Sequence, residues 1–332
     1  MSQQAKARRG VARATAWRDR TLTPAQYVRV ADVALFALTA IVLTGAAVRL
    51  TGSGLGCPTW PKCYGHVYPP LNSHAVIEFG NRTLTVPVCL AAGLAWLLAF
   101  RRRPYRRDLM WIAALLPLGV IGQAVLGGLT VRGELDYGWV MAHFALSMLI
   151  IAAAVALAWR ARHEPGERAR HDDRRTVWLV RSLLPLAALT IFAGTAATAA
   201  GPHAGGEPGQ KINRLTFDGR GTMDFVIHRH GEIGFAFGLL AVAVWWWLGR
   251  RPLDVTVHRA VTWLCCLMAA QGFVGIVQYE AHLPTELVWI HVGLASVIWI
   301  ATLWAVAAAG RLTPRTAVAL EPQAAPSARI PA

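Results

Sequence analysis

The heptapeptide QAVLGGL (residues 123–129) returns as QGFVGIV (residues 271–277), 148 residues later, and both copies lie inside long apolar runs. Three further pairs share nearly the same offset: MAHFALS around His143 with WIHVGLAS around His291, GAAVRLTG with GTAATAAG, and Asn81-Arg82 with His228-Arg229. Four registrations in the same order indicate an internal duplication. The stretch therefore predicts a chain built from two equivalent halves.

The apolar runs around these copies are long enough to cross a membrane. The chain has 332 residues, of which 55% are hydrophobic and only 15% charged, whereas a soluble protein of this size needs more charge to cover its surface. Runs of about 20 apolar residues match a hydrocarbon core of roughly 30 Å. Eight such runs occur: 28–48, 76–99, 109–129, 139–159, 182–200, 223–247, 260–279 and 287–308. We predict an all-α polytopic membrane protein with eight transmembrane helices.

The basic residues are unevenly divided between the two sides of the predicted membrane. Of 33 Lys and Arg residues, 24 lie on the side of the N-terminus, six on the opposite side, and three within or at the end of spans. This bias follows the positive-inside rule, so both termini are predicted to be cytoplasmic and the protein to lie in the cell membrane. The net charge of +15 is therefore interpreted as topogenic and lipid-facing, and no nucleic-acid partner is expected. The first apolar run does not fit a cleavable signal peptide.

The repeat and the charge pattern together divide the chain into five parts. They are a basic cytoplasmic tail (1–27), an N-terminal four-helix half (28–159), a charged cytoplasmic linker (160–181), a C-terminal four-helix half (182–308) and a second cytoplasmic tail expected to be disordered (309–332). Four spans separate equivalent positions, so both halves have the same orientation. The predicted architecture is two tandem four-helix bundles related as a parallel repeat.

Four polar residues lie at one depth in the even-numbered spans, near the outer face of the membrane. They are Asn81, His143, His228 and His291. A single histidine on an apolar helix is ordinarily a core residue, but intramembrane histidines are costly and tend to be functional. Paired positions on alternate helices of a bundle are typical of axial heme ligands. His228 and His291 are therefore the predicted ligand pair of the second half.

Three basic residues accompany these positions. His230 follows His228 by two residues, but it faces about 200° away on a helix and has no partner in the repeat, so it is the weaker candidate. Arg82 and Arg229 directly follow candidate positions and suit pairing with heme propionates near the outer face. Extension of Arg229 to lipid headgroups is an equal alternative.

Glu78 distinguishes the first half, because Phe225 occupies the matching position in the second. It precedes Arg82 by four residues, the favoured order for an intrahelical ion pair. The same carboxylate suits proton transfer, or stabilisation of positive charge developing on a substrate. These two interpretations are compatible.

The remaining motifs exclude several kinds of site. The sequence has no Gly-rich phosphate loop, no Ser/His/Asp arrangement and no zinc-type CxxC. Cys57 and Cys63 lie in CPTWPKC of the first outer loop, where the compartment is oxidising. A structural staple and a redox role both fit these two cysteines.

At these residues the chain resembles the heme A synthase family. The resemblance rests on RLTGSGLGCPTWPKCYG in the first outer loop, IEFGNR in span 2, AHFALS in span 4, IHR in span 6 and HVGLAS in span 8, and it covers roughly residues 28–308. It implies oxidation of a methyl group of heme O to the formyl group of heme A, for cytochrome oxidase biogenesis. The implied site residues are His228 and His291 for a heme b, His143 for the substrate heme, Glu78 for catalysis, and a Cys57–Cys63 disulfide.

Asn81 departs from the family pattern, in which histidine is common at this position. Asparagine is a poor iron ligand, so His143 is the one expected axial ligand in the first half and the opposite face of the iron is open. We interpret this open face as suited to oxidation chemistry. The two histidines of the second half suit a fixed electron-transfer heme.

Two other function classes fit parts of the pattern. A membrane cytochrome b-type electron-transfer protein would bind heme in both halves, which Asn81 disfavours. A parallel-repeat transporter would have spans broken by Gly or Pro at matched places, but Pro87 and Pro117 align with Gly234 and Cys265. The expected partners are heme O, heme O synthase, membrane lipid, an electron donor of unknown chemistry and, as a possible partner, a second copy of the chain.

Overall fold

The computed structural model describes residues 21–165, 174–207, 209–217, 221–250 and 255–310. Over these ranges the chain forms nine helices: α1 (Pro24–Leu50), α2 (Ser73–Ala99), α3 (Arg107–Arg132), α4 (Tyr137–Arg162), α5 (Arg174–Arg181), α6 (Leu183–Ala200), α7 (Thr222–Gly249), α8 (Val255–Glu280) and α9 (Thr285–Ala309). With Arg174–Ala200 counted as one segment, eight of them are long and apolar enough to cross a membrane. The predicted all-helical class and the eight spans are confirmed.

The helices begin before the predicted apolar runs because polar caps extend them. At the start of α1, the Thr23 hydroxyl accepts a hydrogen bond from the Gln26 amide, and the Gln26 side chain accepts one from the Thr23 amide. This reciprocal capping box satisfies two amides that the helix leaves free. At the start of α2, the Asn72 side chain accepts from the Ala75 amide. Hydropathy alone does not detect such polar first turns.

Part of the segment predicted as a linker is helical. Residues 160–162 complete α4, and α5 covers Arg174–Arg181 and continues into α6 after Ser182. α5 buries Thr176 and Val180 and contacts α6, α7 and α9. Residues 166–173 of the predicted linker and most of both predicted tails lie outside the described ranges.

Each half of the chain forms a four-helix bundle. In the first half, α1 packs against α2, α2 against α3, α3 against α4, and α4 against α1; helices α6 to α9 make the same closed set of contacts. The two bundles meet where α9 packs against α1 and α4, and where α4 packs against α6. Trp299 of α9 donates its indole N–H to the carbonyl of Met148 across this interface, at 2.9 Å. The repeat relation between the bundles and the cytoplasmic position of the termini stay predictions.

Large apolar side chains cover the periphery of both bundles. Phe36 is 74% exposed, and Trp263 and Phe273 are each 69% exposed. Such a surface would aggregate in water but matches the hydrocarbon of a bilayer. The chain is therefore a multi-pass membrane protein.

The loops 51–72, 133–136 and 281–284 and the described loop residues 201–207 and 209–217 lie at one end of the bundles, called the outer end here after its predicted orientation. At this end Arg49 connects the two halves, because its guanidinium donates to the carbonyls of His203 at 2.8 Å and Thr198 at 3.0 Å. Beside it, the Gly54 amide donates to the Gly205 carbonyl at 2.8 Å. These contacts fix the outer loop of the second half against the first half.

Candidate functional site

The Glu78 carboxylate is held from two directions at the outer end of α2. Its side chain is only 7% exposed. Oε2 accepts a hydrogen bond from the backbone N–H of Cys57 at 2.6 Å. Oε1 accepts one from Nη2 of Arg82, one helical turn further on. Two charge-assisted bonds hold the buried carboxylate in one orientation.

Both terminal nitrogens of the Arg82 guanidinium donate hydrogen bonds to protein groups. Besides Glu78, its Nη2 donates to the carbonyl of Cys57 at 2.8 Å, and its Nη1 donates to the carbonyl of Thr59 at 2.9 Å. The guanidinium lies over the Trp60 ring, 5.1 Å from its centre. The guanidinium that the sequence suggested for a heme propionate is therefore engaged with Glu78 and the first outer loop. The physical reason is the favoured ion-pair spacing of Glu78 and Arg82.

The first outer loop is closed by a disulfide between Cys57 and Cys63, which confirms the pairing implied by the family resemblance. Both cysteines are fully buried. Gly56 allows the loop to approach α2, since a Cβ at this position would lie 2.3 Å from the His74 carbonyl oxygen. A Cβ on Gly128 of α3 would likewise lie 2.5 Å from the Trp60 indole. Two glycines therefore allow the loop to pack against both α2 and α3.

Asn81 takes part in a polar contact between α1 and α2. Its Oδ1 accepts a hydrogen bond from the Thr44 hydroxyl at 2.7 Å. Gly45, the next residue of α1, faces the amide, because a Cβ there would be 4.0 Å from Asn81 Nδ2. The side-chain oxygen is therefore engaged in a hydrogen bond within the protein.

His143 on α4 and His291 on α9 have matching surroundings. A Cβ built on Gly127 would lie 3.6 Å from Cε1 of His143, and one built on Gly275 would lie 3.4 Å from Cε1 of His291. A glutamine from the preceding helix donates to the backbone carbonyl of each histidine, at 3.0 Å for Gln123 to His143 and 3.1 Å for Gln271 to His291. The repeated sequence motifs thus surround each histidine with the same contacts.

The rings of these two histidines have an unsatisfied nitrogen. Nδ1 of His143 and Nδ1 of His291 are buried and have no hydrogen-bond partner among the residues that the structure describes. Buried polar atoms are normally satisfied, all the more so in a membrane. An imidazole without a protein partner, in an apolar span, suits a ligand of a bound metalloporphyrin.

In the second half, His230 rather than His228 lies beside His291. The ring centres of His230 and His291 are 6.0 Å apart, and His230 Nδ1–H donates to the Thr190 carbonyl at 3.1 Å. His228 is exposed; its Nδ1 bonds the Asp224 carbonyl at 2.7 Å, four residues back on its own helix. The two histidines face different sides of α7, as their spacing requires.

The contact made by His230 also suggests a second way to match the two halves. Gly194 of α6 lies against the His230 ring, with a Cβ at 3.0 Å from Cε1, as Gly45 lies against Asn81 in the first half. The comparison of the two halves in sequence matched Asn81 with His228, because each of them is directly followed by an arginine. The packing pairs Asn81 with His230, two residues further along α7. His230 is the candidate that the sequence interpretation set aside, and its contact with Gly194 makes it a second candidate beside His228.

Arg229 is placed differently from Arg82. It is 58% exposed and pairs with Glu232, itself 59% exposed, at 2.5 Å. Its guanidinium also lies 5.4 Å from the centre of the Phe225 ring. An exposed ion pair of this kind is weakly held, so Arg229 stays accessible to a ligand or to lipid headgroups.

The residues of the second half fit a heme held by two imidazoles. Two histidine nitrogens bonded to one metal ion at about 2 Å each have ring centres about 6 Å apart, close to the separation of His230 and His291. The Nδ1–H of His230 donates to a backbone carbonyl, as ligating histidines usually do, which leaves Nε2 unprotonated. In the first half, Asn81 stands where a second imidazole would be needed.

Comparisons with known proteins agree with the resemblance seen in the sequence. The family whose model matches the chain is COX15-CtaA, described as cytochrome oxidase assembly protein, and the matched residues are 29–76 and 71–303. A heme A synthase of Hyphomonas neptunium is 28% identical over 86% of this chain and 93% of its own length. A heme A synthase of Bacillus pumilus is 31% identical over 38% of this chain.

Some relatives are matched over only part of their length. The alignment spans 42% of the Bacillus pumilus protein. A protoheme IX farnesyltransferase of Thermus thermophilus is 27% identical over 78% of this chain but 44% of its own length. The family model, in contrast, matches nearly all of the described part of this chain. The chain belongs to the COX15-CtaA family of cytochrome oxidase assembly proteins.

Proposed function

We propose that this protein is a heme A synthase, which oxidises a methyl group of heme O to the formyl group of heme A. The observation that carries the proposal is the buried Glu78 carboxylate, fixed by the Cys57 amide and Arg82. It lies in the half of the molecule where Asn81 replaces a second imidazole. A buried acid beside a site with one ligand is suited to chemistry rather than to electron transfer alone. Family membership and the heme A synthases among the relatives support the same conclusion.

In the first half, His143 is the proposed ligand of the substrate heme iron. Its ring packs against Gly127, and the hydrogen bond from Gln123 to its backbone carbonyl fixes this turn of α4. Asn81 bonds to Thr44 and supplies no ligand, so one axial position of the substrate is open. Conversion of a methyl to a formyl group releases protons, and the Glu78 carboxylate is placed to accept a proton or to stabilise positive charge on the substrate.

In the second half, His230 and His291 are the proposed axial ligands of a heme b. When bound, heme b supplies one-electron transfer. The support is the 6.0 Å separation of the two rings and the hydrogen bond that fixes the His230 tautomer. The pair His228 and His291, suggested by the sequence, is the competing assignment. Separate substitution of His228 and His230 distinguishes the two.

We further propose that both heme sites lie toward the outer face of the cell membrane, with cytoplasmic termini and two bundles related by duplication. The charge bias of the loops supports this orientation. The matching glutamine–histidine and glycine–histidine contacts of the two halves support the duplication. The proposed partners are a heme O synthase that supplies the substrate, lipid, and an electron donor; self-association is a further possibility.

The test is analysis of the heme extracted from membranes that contain this protein together with a heme O synthase. Reversed-phase chromatography should detect heme A, or its hydroxylated precursor, only when the intact chain is present. Heme b and unaltered heme O alone, from folded protein supplied with a working reductant, would instead support a membrane cytochrome b-type electron-transfer protein. The Hyphomonas neptunium relative, expressed in the same way, is the positive control.

A further inference from the structure

We propose that Arg82 is a positioning residue, which joins the disulfide-closed loop to α2 and so fixes the Glu78 carboxylate. The device consists of Glu78, Arg82 and the loop from Cys57 to Cys63, and is called the clamp below. The inference rests on the proposed function, because it assigns a role toward the proposed catalytic carboxylate. It also gives the disulfide a structural purpose: to shape the clamp.

The three parts of the clamp are bonded to one another in a closed triangle. Glu78 accepts from Arg82 through Oε1 and from the Cys57 amide through Oε2. Arg82 in turn donates to the Cys57 carbonyl at 2.8 Å. The same peptide segment therefore donates to the carboxylate and accepts from the guanidinium. Neither side chain can turn without breaking a bond to the loop.

Arg82 also donates hydrogen bonds to backbone carbonyl groups further along the loop. Nη1 donates to the Thr59 carbonyl at 2.9 Å and approaches the Pro61 carbonyl at 3.5 Å. These oxygens point toward one guanidinium because the chain turns back on itself between Cys57 and Cys63, which are joined by the disulfide. A planar fork with five donors suits this arrangement, whereas a lysine ammonium offers three donors from a single point.

The neighbours of the loop prevent it from shifting as a unit. The Trp60 ring packs on Gly128 of α3 on one side and under the Arg82 guanidinium on the other. Gly56 brings the backbone against the first turn of α2. Both sulfur atoms belong to fully buried residues. The loop is therefore a rigid support that places one amide on a buried carboxylate.

The experiment uses the full chain in membranes with a heme O synthase and compares Arg82→Gln and Arg82→Lys with the wild type. Lys211→Gln is the matched control, because Lys211 is an exposed cation of the outer end that lies outside the clamp. The first readout is the rate at which heme A and its hydroxylated precursor form per chain. The second is the rate at which tris(2-carboxyethyl)phosphine reduces the disulfide, after free thiols are blocked with N-ethylmaleimide and new thiols are then labelled.

We expect Arg82→Gln to lower turnover about 10- to 100-fold, since a small misplacement of a catalytic group has effects of this size. Reduction of the disulfide should become about tenfold faster, because local opening governs access to buried atoms. The heme b spectrum and the apparent affinity for heme O should be retained, and Lys211→Gln should match the wild type in every readout. Arg82→Lys should fall between them, and it carries the test if Arg82→Gln does not assemble with heme b.

Turnover and reduction rates equal to those of Lys211→Gln would overturn the clamp, as would complete rescue of both rates by lysine. A lowered turnover with an unchanged reduction rate would also overturn it, because Arg82 would then act without the loop. Failure of the wild type itself to form either product, with heme b bound, would instead contradict the proposed function. In that case the reduction rates alone still decide whether the clamp exists.

Discussion

The two halves of the molecule hold one histidine in the same way and differ in what faces it. In both, a glutamine bonds the histidine backbone and a glycine packs on its ring. The first half adds the buried ion pair of Glu78 with Arg82 and an asparagine, Asn81. The second half adds another imidazole, His230. The comparison shows that α3 with α4, and α8 with α9, form a shared scaffold, while α2 and α7 differ between the halves.

Burial of the charged pairs differs as sharply as their chemistry. Arg82 and Glu78 are 14% and 7% exposed, whereas Arg229 and Glu232 are 58% and 59% exposed. Solvent screens the second pair and makes it weak. The first pair is shielded, and loss of either partner leaves an uncompensated buried charge. The arginine that follows the candidate position is therefore held by protein groups in the first half and exposed in the second.

Removal of the Glu78 carboxylate, which only the first half contains, should have the largest effect on turnover. We expect Glu78→Gln to lower turnover about 10²- to 10⁴-fold, the usual contribution of a positioned acid or base, while the heme b spectrum stays unchanged. The measurement is product formation per chain, with the exposed Glu286→Gln as control. Loss of heme b together with turnover would make Glu78 a structural residue.

Substitution of the candidate heme b ligands in the second half should have the second-largest effect, which is a loss of heme b. His230→Ala should weaken heme b binding by more than the about 10- to 100-fold typical of an outer-shell partner, because it removes a ligand itself. His228→Ala should leave the low-spin, two-imidazole spectrum in place. Optical and electron paramagnetic resonance spectra of both variants check this. If His228→Ala alone abolishes the signal, the sequence-based assignment is correct and the assignment from packing is wrong.

A histidine at position 81 would make the first half resemble the second, and it should occupy the proposed open position on the substrate heme. In Asn81→His the new imidazole competes for that position, and a preference of only about 1.4 kcal/mol leaves roughly a tenth of the molecules open. Turnover should therefore fall about tenfold, and a second two-imidazole spectrum should appear when heme O is supplied. Asn81→Gln, which adds no ligand, is the matched control. Unchanged spectra and turnover would contradict the proposed single-ligand site.

Loss of the hydrogen bond from the glutamine to the histidine carbonyl should have the smallest effect. In each half it should affect only the heme bound there. Gln271→Ala removes the hydrogen bond to the His291 carbonyl, worth about 1 kcal/mol, and should weaken heme b binding about fivefold. Gln123→Ala should change the apparent affinity for heme O by a similar factor and leave heme b alone. Titration of each heme into membranes measures both. Crossed effects would mean that the two sites are not independent.

Much of the fold could be predicted from the sequence because the bilayer imposes it. Every spanning segment must satisfy its own backbone, so apolar runs of the right length become helices. The eight spans follow from this requirement, and the capped ends at Thr23 and Asn72 refine it. The disulfide was implied by the resemblance to the heme A synthase family, whose loop cysteines match Cys57 and Cys63. Helix α5 was missed, because its polar residues match a linker in composition.

The site was predicted less completely, because which way a side chain faces depends on packing. His228 and His230 are equally intramembrane in sequence, and dipeptide similarity favoured the first. The contact of Gly194 with His230 favours the second. Similarly, Arg82 looked available to a propionate until the folded loop brought the carbonyls of Cys57 and Thr59 to it.

The sequence by itself determined the number of spans, the duplicated histidine motifs and the acid that only one half contains. These are properties of composition and spacing, which local hydropathy and helix geometry translate directly into structure. The tertiary structure alone decided which histidine meets His291 and what binds Arg82. Both depend on the rotation of α7 and the path of the first loop, which are set by close contacts between segments far apart in the chain.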